Sequence, residues 1–132
     1  DAKFLMSYAK VGLSPDGGAS WQLAHRLPPN VALETIMLPA PITAERARTL
    51  GLVNEVVPHG QALTGALALA ERLAAMPPNV LASAKELVHG AASRSLTEQL
   101  AAERDHFVAN LFHDNGGEGI QAFLDKRAAQ FR

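Results

Sequence analysis

The residues best suited by type and spacing to do chemistry fall in one short stretch, from Ala9 to Trp21. Asp16 supplies a carboxylate, a group that enzymes use as general acid or base when a proton must move to or from carbon. It stands in a Pro15-Asp16-Gly17-Gly18 turn that leads into an apolar helical pattern. That arrangement puts the carboxylate at a helix start, where unpaired N–H groups point outward. The same position also reads as a structural N-cap, and the two roles are compatible. Gly17 and Gly18 serve backbone geometry, letting a helix begin close beside a ligand.

Other chemistries find little support. The five histidines, at positions 25, 59, 89, 106 and 113, show no HExxH pattern or close ligand spacing, so no metal site is expected. His106 and His113 are seven apart and are expected as a solvent-facing pair on one helix. Ser7, Ser14 and Ser20 lack a G-x-S-x-G elbow. Neither a P-loop nor a dinucleotide fingerprint is present.

The elements that must hold these groups are mostly helical. Residues 3–13 read as a strand and an extended approach to the turn. Helices are expected from Ala19 to Leu27, stopped by Pro28-Pro29, and from Val31 to Leu38, stopped by Pro39 and Pro41. Thr43 is positioned to N-cap Ala44–Leu50, with Gly51 as a left-handed terminator. Leu52–Val57 is the clearest strand pattern. Helices follow over Gln61–Met76, with a Leu63-Leu67-Ala70-Ala74 stripe, and over Val80–Ala92. Ser95-Leu96-Thr97-Glu98 has the capping-box pattern and opens a helix carrying Leu96, Leu100, Phe107, Leu111 and Phe112. Asn115-Gly116-Gly117 is expected to separate it from a last helix, Glu118–Ala129. Trp21 reads as core, with the lining of an aromatic acyl pocket as the alternative. One or two strands cannot bury both faces of a sheet, so the sheet must be completed by something outside these residues.

The 132 residues fit a single domain by length, carry a net charge of −1, and include no cysteine. Scattered lysines and arginines argue against nucleic acid and against an anionic membrane surface. No apolar run approaches a membrane span and no signal peptide is visible, so a cytoplasmic location is expected. Charged residues, at 19%, are sparse, and the apolar 48% is rich in alanine. That balance suits helices buried in an assembly and suits a compact helical monomer equally well.

Ala9-Lys10-Val11-Gly12-Leu13-Ser14-Pro15-Asp16 with Trp21 resembles the active-site turn of the crotonase superfamily, the enoyl-CoA hydratases and isomerases. Three further segments resemble that family in its own order: Pro41–Ala47, Gly51–Pro58, and the closing Glu118-Gly119-Ile120-Gln121-Ala122-Phe123-Leu124-Asp125-Lys126-Arg127. The match follows the C-terminal half of the family, so about half of the expected enzyme is missing from this sequence. The motif is most similar to the epoxyphenylacetyl-CoA isomerase and oxepin-CoA hydrolase branch. The resemblance implies an α/β crotonase-like spiral fold, with residues 1–58 the end of the spiral core and 59–132 a helical region for trimerisation and CoA capping.

It further implies proton transfer through a CoA-thioester enolate held by two backbone N–H groups. Coenzyme A then enters as part of an acyl-CoA substrate, with no permanently bound cofactor, in a homo-oligomer that is a trimer or a hexamer. Asp16 matches a working carboxylate of the family. Tyr8 stands where hydratases carry their second glutamate, and either replaces its role or fills its space, which tilts the reading toward isomerisation over hydration. Phe107, Phe123 and Lys126 match residues near the adenine end of CoA, the last two reaching it from a neighbouring subunit; the alternative for them is a buried helix face with a snorkelling lysine. A different class of reading makes the chain a truncated, non-catalytic assembly module of such an enzyme.

Overall fold

Prolines and short polar caps set the helix starts in this chain. The computed structural model describes all residues, Asp1–Arg132, as two units, Asp1–Gly65 and Ala66–Arg132. In the first unit, β1 (Lys3–Phe4) pairs antiparallel with β2 (Ile42–Thr43), Lys3 opposite Thr43 and Phe4 opposite Ile42. Between them run a 3₁₀ turn (Tyr8–Val11), α1 (Ala19–Arg26) and α2 (Pro29–Met37). Helix α1 packs on α2, and the 3₁₀ turn also meets α2. Pro29 sits at the first position of α2, where its missing N–H costs nothing and its φ suits a helix, so α2 begins earlier than the expected Val31. Leu27 and Ala32 are buried beside this join.

Helix α3 (Ala44–Thr49) starts as its sequence indicates. Thr43 Oγ1 accepts the Arg46 N–H at 3.2 Å, and Gly51 ends the element in the left-handed region at φ 74°. Ala47 is fully buried on its inner face.

Two expectations about extended chain fail here. Tyr8–Val11 is helical: Lys10 N–H bonds the Ser7 carbonyl at 3.0 Å, and Leu13 N–H bonds the Tyr8 carbonyl at 3.1 Å. Leu52–Val57 forms no strand. Its β-branched pattern is sound, but a strand needs a partner to take its N–H and C=O groups, and β1 has paired with Ile42–Thr43 instead. The segment lies against the start of α4 (Ala62–Ala74), where a Cβ on Gly65 would stand 3.1 Å from Val57 Cγ1.

The second unit continues α4 and adds α5 (Pro78–Ala91), α6 (Leu96–Leu111) and α7 (Asp114–Leu124). Helix α5 packs on α6, and α6 on α7. The capping box at Ser95 is complete: Ser95 Oγ accepts the Glu98 N–H, and Glu98 Oε2 accepts the Ser95 N–H at 2.8 Å.

Asn115-Gly116-Gly117 does not separate two helices. It lies inside the first turn of α7, because His113 Nδ1 accepts the Asn115 N–H at 3.1 Å and caps the helix upstream of the glycines. Gly116 is required there by contact: a Cβ would collide with the main-chain oxygen of Asn110. Helix α7 also ends early, at Leu124.

The side chains of Asn79, Ser83, His106, Asn110 and Asn115 tie the second unit together. Asn115, the one buried polar residue, donates to Asn79 Oδ1 at 2.8 Å and exchanges two hydrogen bonds with the Arg132 main chain, at 2.9 and 3.0 Å. Asn79 donates onward to Asn110 Oδ1 at 2.6 Å, and Asn110 donates to Ser83 Oγ at 2.9 Å. His106 joins at 3.0 Å from Ser83 Oγ and is only 23% exposed. His106 and His113 are therefore not a solvent-facing pair; one belongs to this network and the other caps α7.

Hydrophobic burial is shallow by comparison. Leu27, Ala32, Ala47 and Ala122 are the buried apolar residues, whereas Leu63, Leu67, Leu96, Leu100 and Phe112 all lie more than half exposed. No helix is long and apolar enough to cross a membrane.

Asn115→Ala removes the three side-chain hydrogen bonds that join α5 and the tail to α7, so it should cost about 1–3 kcal/mol, the net worth of a few such bonds. Urea unfolding measures this; an unchanged midpoint would contradict the network's structural weight.

Candidate active site

Three left-handed glycines shape the chain from Tyr8 to α1. Gly12, at φ 71°, ends the 3₁₀ turn, and Gly17 and Gly18, at φ 57° and 81°, turn the chain into α1. Two such residues in succession would strain any side chain with a Cβ. The Ala19 N–H bonds the Asp16 carbonyl at 3.0 Å, and the Gln22 N–H bonds the Gly18 carbonyl at 2.9 Å. Asp16 is thus displaced from the helix terminus: Gly18 is the N-cap of α1, and no side chain caps it. The reading of Asp16 as an N-cap is corrected, for the carboxylate is turned toward another partner.

That partner is Tyr8. Its hydroxyl donates to Asp16 Oδ1 at 2.6 Å, across a sequence separation of eight. The hydrogen bond to a carboxylate, with the negative charge beside it, raises the Tyr8 pKa above its ordinary value. The phenol therefore keeps its proton at neutral pH and acts here as a donor. It engages one carboxylate oxygen and leaves Oδ2 as the atom open to a second partner. Chemically the pair is a carboxylate oriented by a phenol, a device that can take a proton from carbon and return it elsewhere. The turn and the family resemblance singled out Asp16, and the resemblance alone singled out Tyr8; the bond between them was hidden because a 3₁₀ turn was not expected.

Trp21 is not core. Its ring stacks on His25 with centroids 3.9 Å apart, and it remains 58% exposed on α1.

The residues matched to the adenine end of CoA belong to the second unit. Phe107 lines an apolar groove of about 500 Å³ between α5, α6 and α7, with Val80, Leu87, Leu111 and Ile120. Phe123 stands on α7 outside that lining, and Lys126 follows the helix in the left-handed region at φ 53°. Both phenylalanines are more than two-thirds exposed on this chain.

Comparison with known proteins gives the same direction. A sequence profile described as enoyl-CoA hydratase/isomerase matches residues 1–132. The chain is 33% identical over 131 residues to an enoyl-CoA hydratase of Mycobacterium tuberculosis, covering 99% of this chain and 49% of that protein. It is 34% identical over 130 residues to the 1,2-epoxyphenylacetyl-CoA isomerase of Escherichia coli, covering 98% and 50%. Among solved structures, an enoyl-CoA hydratase from a Polaromonas species superposes with a TM-score of 0.94 at 57% identity, covering 99% of this chain and 51% of that one. The chain spans about half the length of the curated relatives it matches, and its fold is the corresponding part of theirs.

Tyr8 is the only tyrosine among these residues, so its ionisation can be followed directly by ultraviolet absorbance. A raised pKa means the donor is intact below about 10 and is lost only as pH rises through the higher folded value. Asp16→Asn removes the neighbouring charge and should bring the tyrosinate midpoint down toward the ordinary value. An identical midpoint in both proteins would show that the pair is not formed in solution.

Proposed function

The chain belongs to the enoyl-CoA hydratase/isomerase family, and on that premise we propose that it supplies the C-terminal half of an acyl-CoA-processing enzyme. The reaction is proton transfer through a CoA-thioester enolate, on an enoyl-CoA or a ring-derived acyl-CoA. The observation that carries this reading is the 2.6 Å bond from the Tyr8 hydroxyl to Asp16 Oδ1.

Asp16 Oδ2 takes a proton from a carbon of the acyl group. The C–H electron pair moves into the thioester as an enolate, and the same carboxyl returns the proton at a different carbon. The double bond is displaced and no atom is gained or lost, which makes the net reaction an isomerisation. Tyr8 holds Oδ1 throughout, so the carboxylate does not have to reorganise between the two transfers. By resemblance to the family, the N–H groups that stabilise the enolate oxygen are expected from outside residues 1–132. Hydration would need a second general base to activate water, and a protonated phenol at Tyr8 does not supply one; this favours isomerisation.

Coenzyme A comes and goes with the substrate. The exposed rings of Phe107 and Phe123 suit stacking on adenine, and Lys126 suits a phosphate as a point charge. The chain acts in a cytoplasmic homo-oligomer, a trimer or a hexamer. The uncovered Leu67, Leu96, Leu100 and Phe112 of the second unit support such an assembly, since apolar exposure this extensive is normally covered. The same surface favours the second reading, an assembly module without catalysis.

One substitution separates the two. In the enzyme that carries this chain, Asp16→Asn should lower kcat on its best acyl-CoA substrate by roughly 10²- to 10⁴-fold, the range for loss of a general acid–base group. Turnover retained at the wild-type rate would exclude Asp16 as the proton carrier.

A further inference from the structure

Lys126 is the only residue other than glycine with a positive φ, at 53°. A lysine has no chemical reason of its own to adopt the left-handed region, and that conformation is strained for any residue with a Cβ. Such a conformation persists only where the surroundings hold it on both sides.

Both sides are held here. Upstream, the Lys126 N–H bonds the Phe123 carbonyl at 3.3 Å, and the Arg127 N–H reaches back to the Ala122 carbonyl at 3.1 Å, a Schellman-type end to α7. Downstream, the Arg127 guanidinium grips Glu118, one N–H group to each carboxylate oxygen, at 2.7 and 2.9 Å. The Gln130 N–H adds a third bond to Glu118 Oε1 at 2.8 Å. Glu118 belongs to the second turn of α7, so the tail is folded back along the helix that precedes it. Asn115 then fixes the Arg132 main chain, and the Phe131 ring lies over Gly119. The result is a clasp whose two halves are nine residues apart with Lys126 at the bend.

We infer that the Glu118–Arg127 pair is a positioning device that holds Lys126 in its left-handed conformation and so fixes where its ammonium meets the phosphates of CoA. This rests on the reading of Lys126 as a CoA contact. Neither clasp residue touches the substrate; both act through the backbone at Lys126. Bidentate pairing suits the task, because the planar fork fixes direction as well as distance. Charge keeps it closed over the working range: Arg127 and the Gln130 N–H hold the Glu118 carboxyl at about 2. The clasp is thus fully ionised above the ordinary carboxylate range and opens only as pH falls through about 2.

The test compares two substrates of the enzyme that carries this chain: a full CoA thioester, and the same acyl group on pantetheine, which lacks the adenosine phosphates. Glu118→Gln should raise KM for the CoA thioester, relative to the pantetheine thioester, by about fivefold, the scale of a partly exposed ion pair. The loss should fall on KM rather than kcat. Arg127→Gln should do the same. Lys126→Ala should raise the same ratio, and Glu118→Gln added to Lys126→Ala should raise it no further.

Four results would overturn the inference. If Lys126→Ala raises the ratio and both clasp variants leave it alone, the lysine reading stands and the positioning role falls. If the effects of Glu118→Gln and Lys126→Ala multiply, the residues act independently. If the clasp variants weaken both substrates equally, the pair is only structural. If Lys126→Ala itself leaves the ratio unchanged, the CoA-contact reading fails and takes the inference with it.

Discussion

The bond from the Tyr8 hydroxyl to Asp16 Oδ1 joins two residues that the chain would otherwise hold apart. Fully extended, eight residues reach well beyond 20 Å, yet the two oxygens are 2.6 Å from each other. The 3₁₀ turn shortens the first part of that path, Gly12 reverses it, and the Gly17-Gly18 pair releases the chain into α1 only after Asp16 has faced back. Pairing of β1 with β2 and the packing of the 3₁₀ turn on α2 hold the start of this loop to the rest of the first unit. A carboxylate fixed this way has one oxygen committed and one free, which is what repeated proton transfer demands of it.

The second unit is held differently. Its interior is mainly a chain of polar side chains, Asn115, Asn79, Asn110, Ser83 and His106, with Ala122 as its buried apolar residue. Its large apolar residues face outward on α4, α5, α6 and α7. Hydrogen bonds give direction and register, while burial gives most of the stabilisation of a fold. A unit rich in the first and poor in the second is specified in detail but depends on other surfaces to cover its apolar faces. That fits a chain spanning half the length of its relatives.

What the sequence made legible follows from which interactions are local. Thr43, Ser95 and Gly51 act within a few residues, so their patterns led straight to α3, α6 and the left-handed stop. The family motifs led to the fold, because each is a short run whose spacing survives in isolation. Leu52–Val57 misled because strand formation depends on a partner, and no local pattern reveals whether one is available. Asn115-Gly116-Gly117 misled for a related reason. Its glycine is demanded by the Asn110 carbonyl and its asparagine by Asn79 and Arg132, contacts made across α5, α6 and the tail. At the site, the identities of Tyr8 and Asp16 were legible and their bond was not. The Glu118–Arg127 clasp was visible only as two ends of a motif.

Hydrogen exchange at the acyl carbons tests the central claim most directly. A CoA thioester that can form the enolate but cannot complete turnover is incubated in D₂O with the enzyme carrying this chain, and deuterium uptake is read by mass spectrometry. The account predicts uptake at the acidic carbon with wild-type protein and its near-complete loss with Asp16→Asn. Undiminished uptake in that variant would mean that the proton is carried by another group, and that the Tyr8–Asp16 pair only shapes the turn.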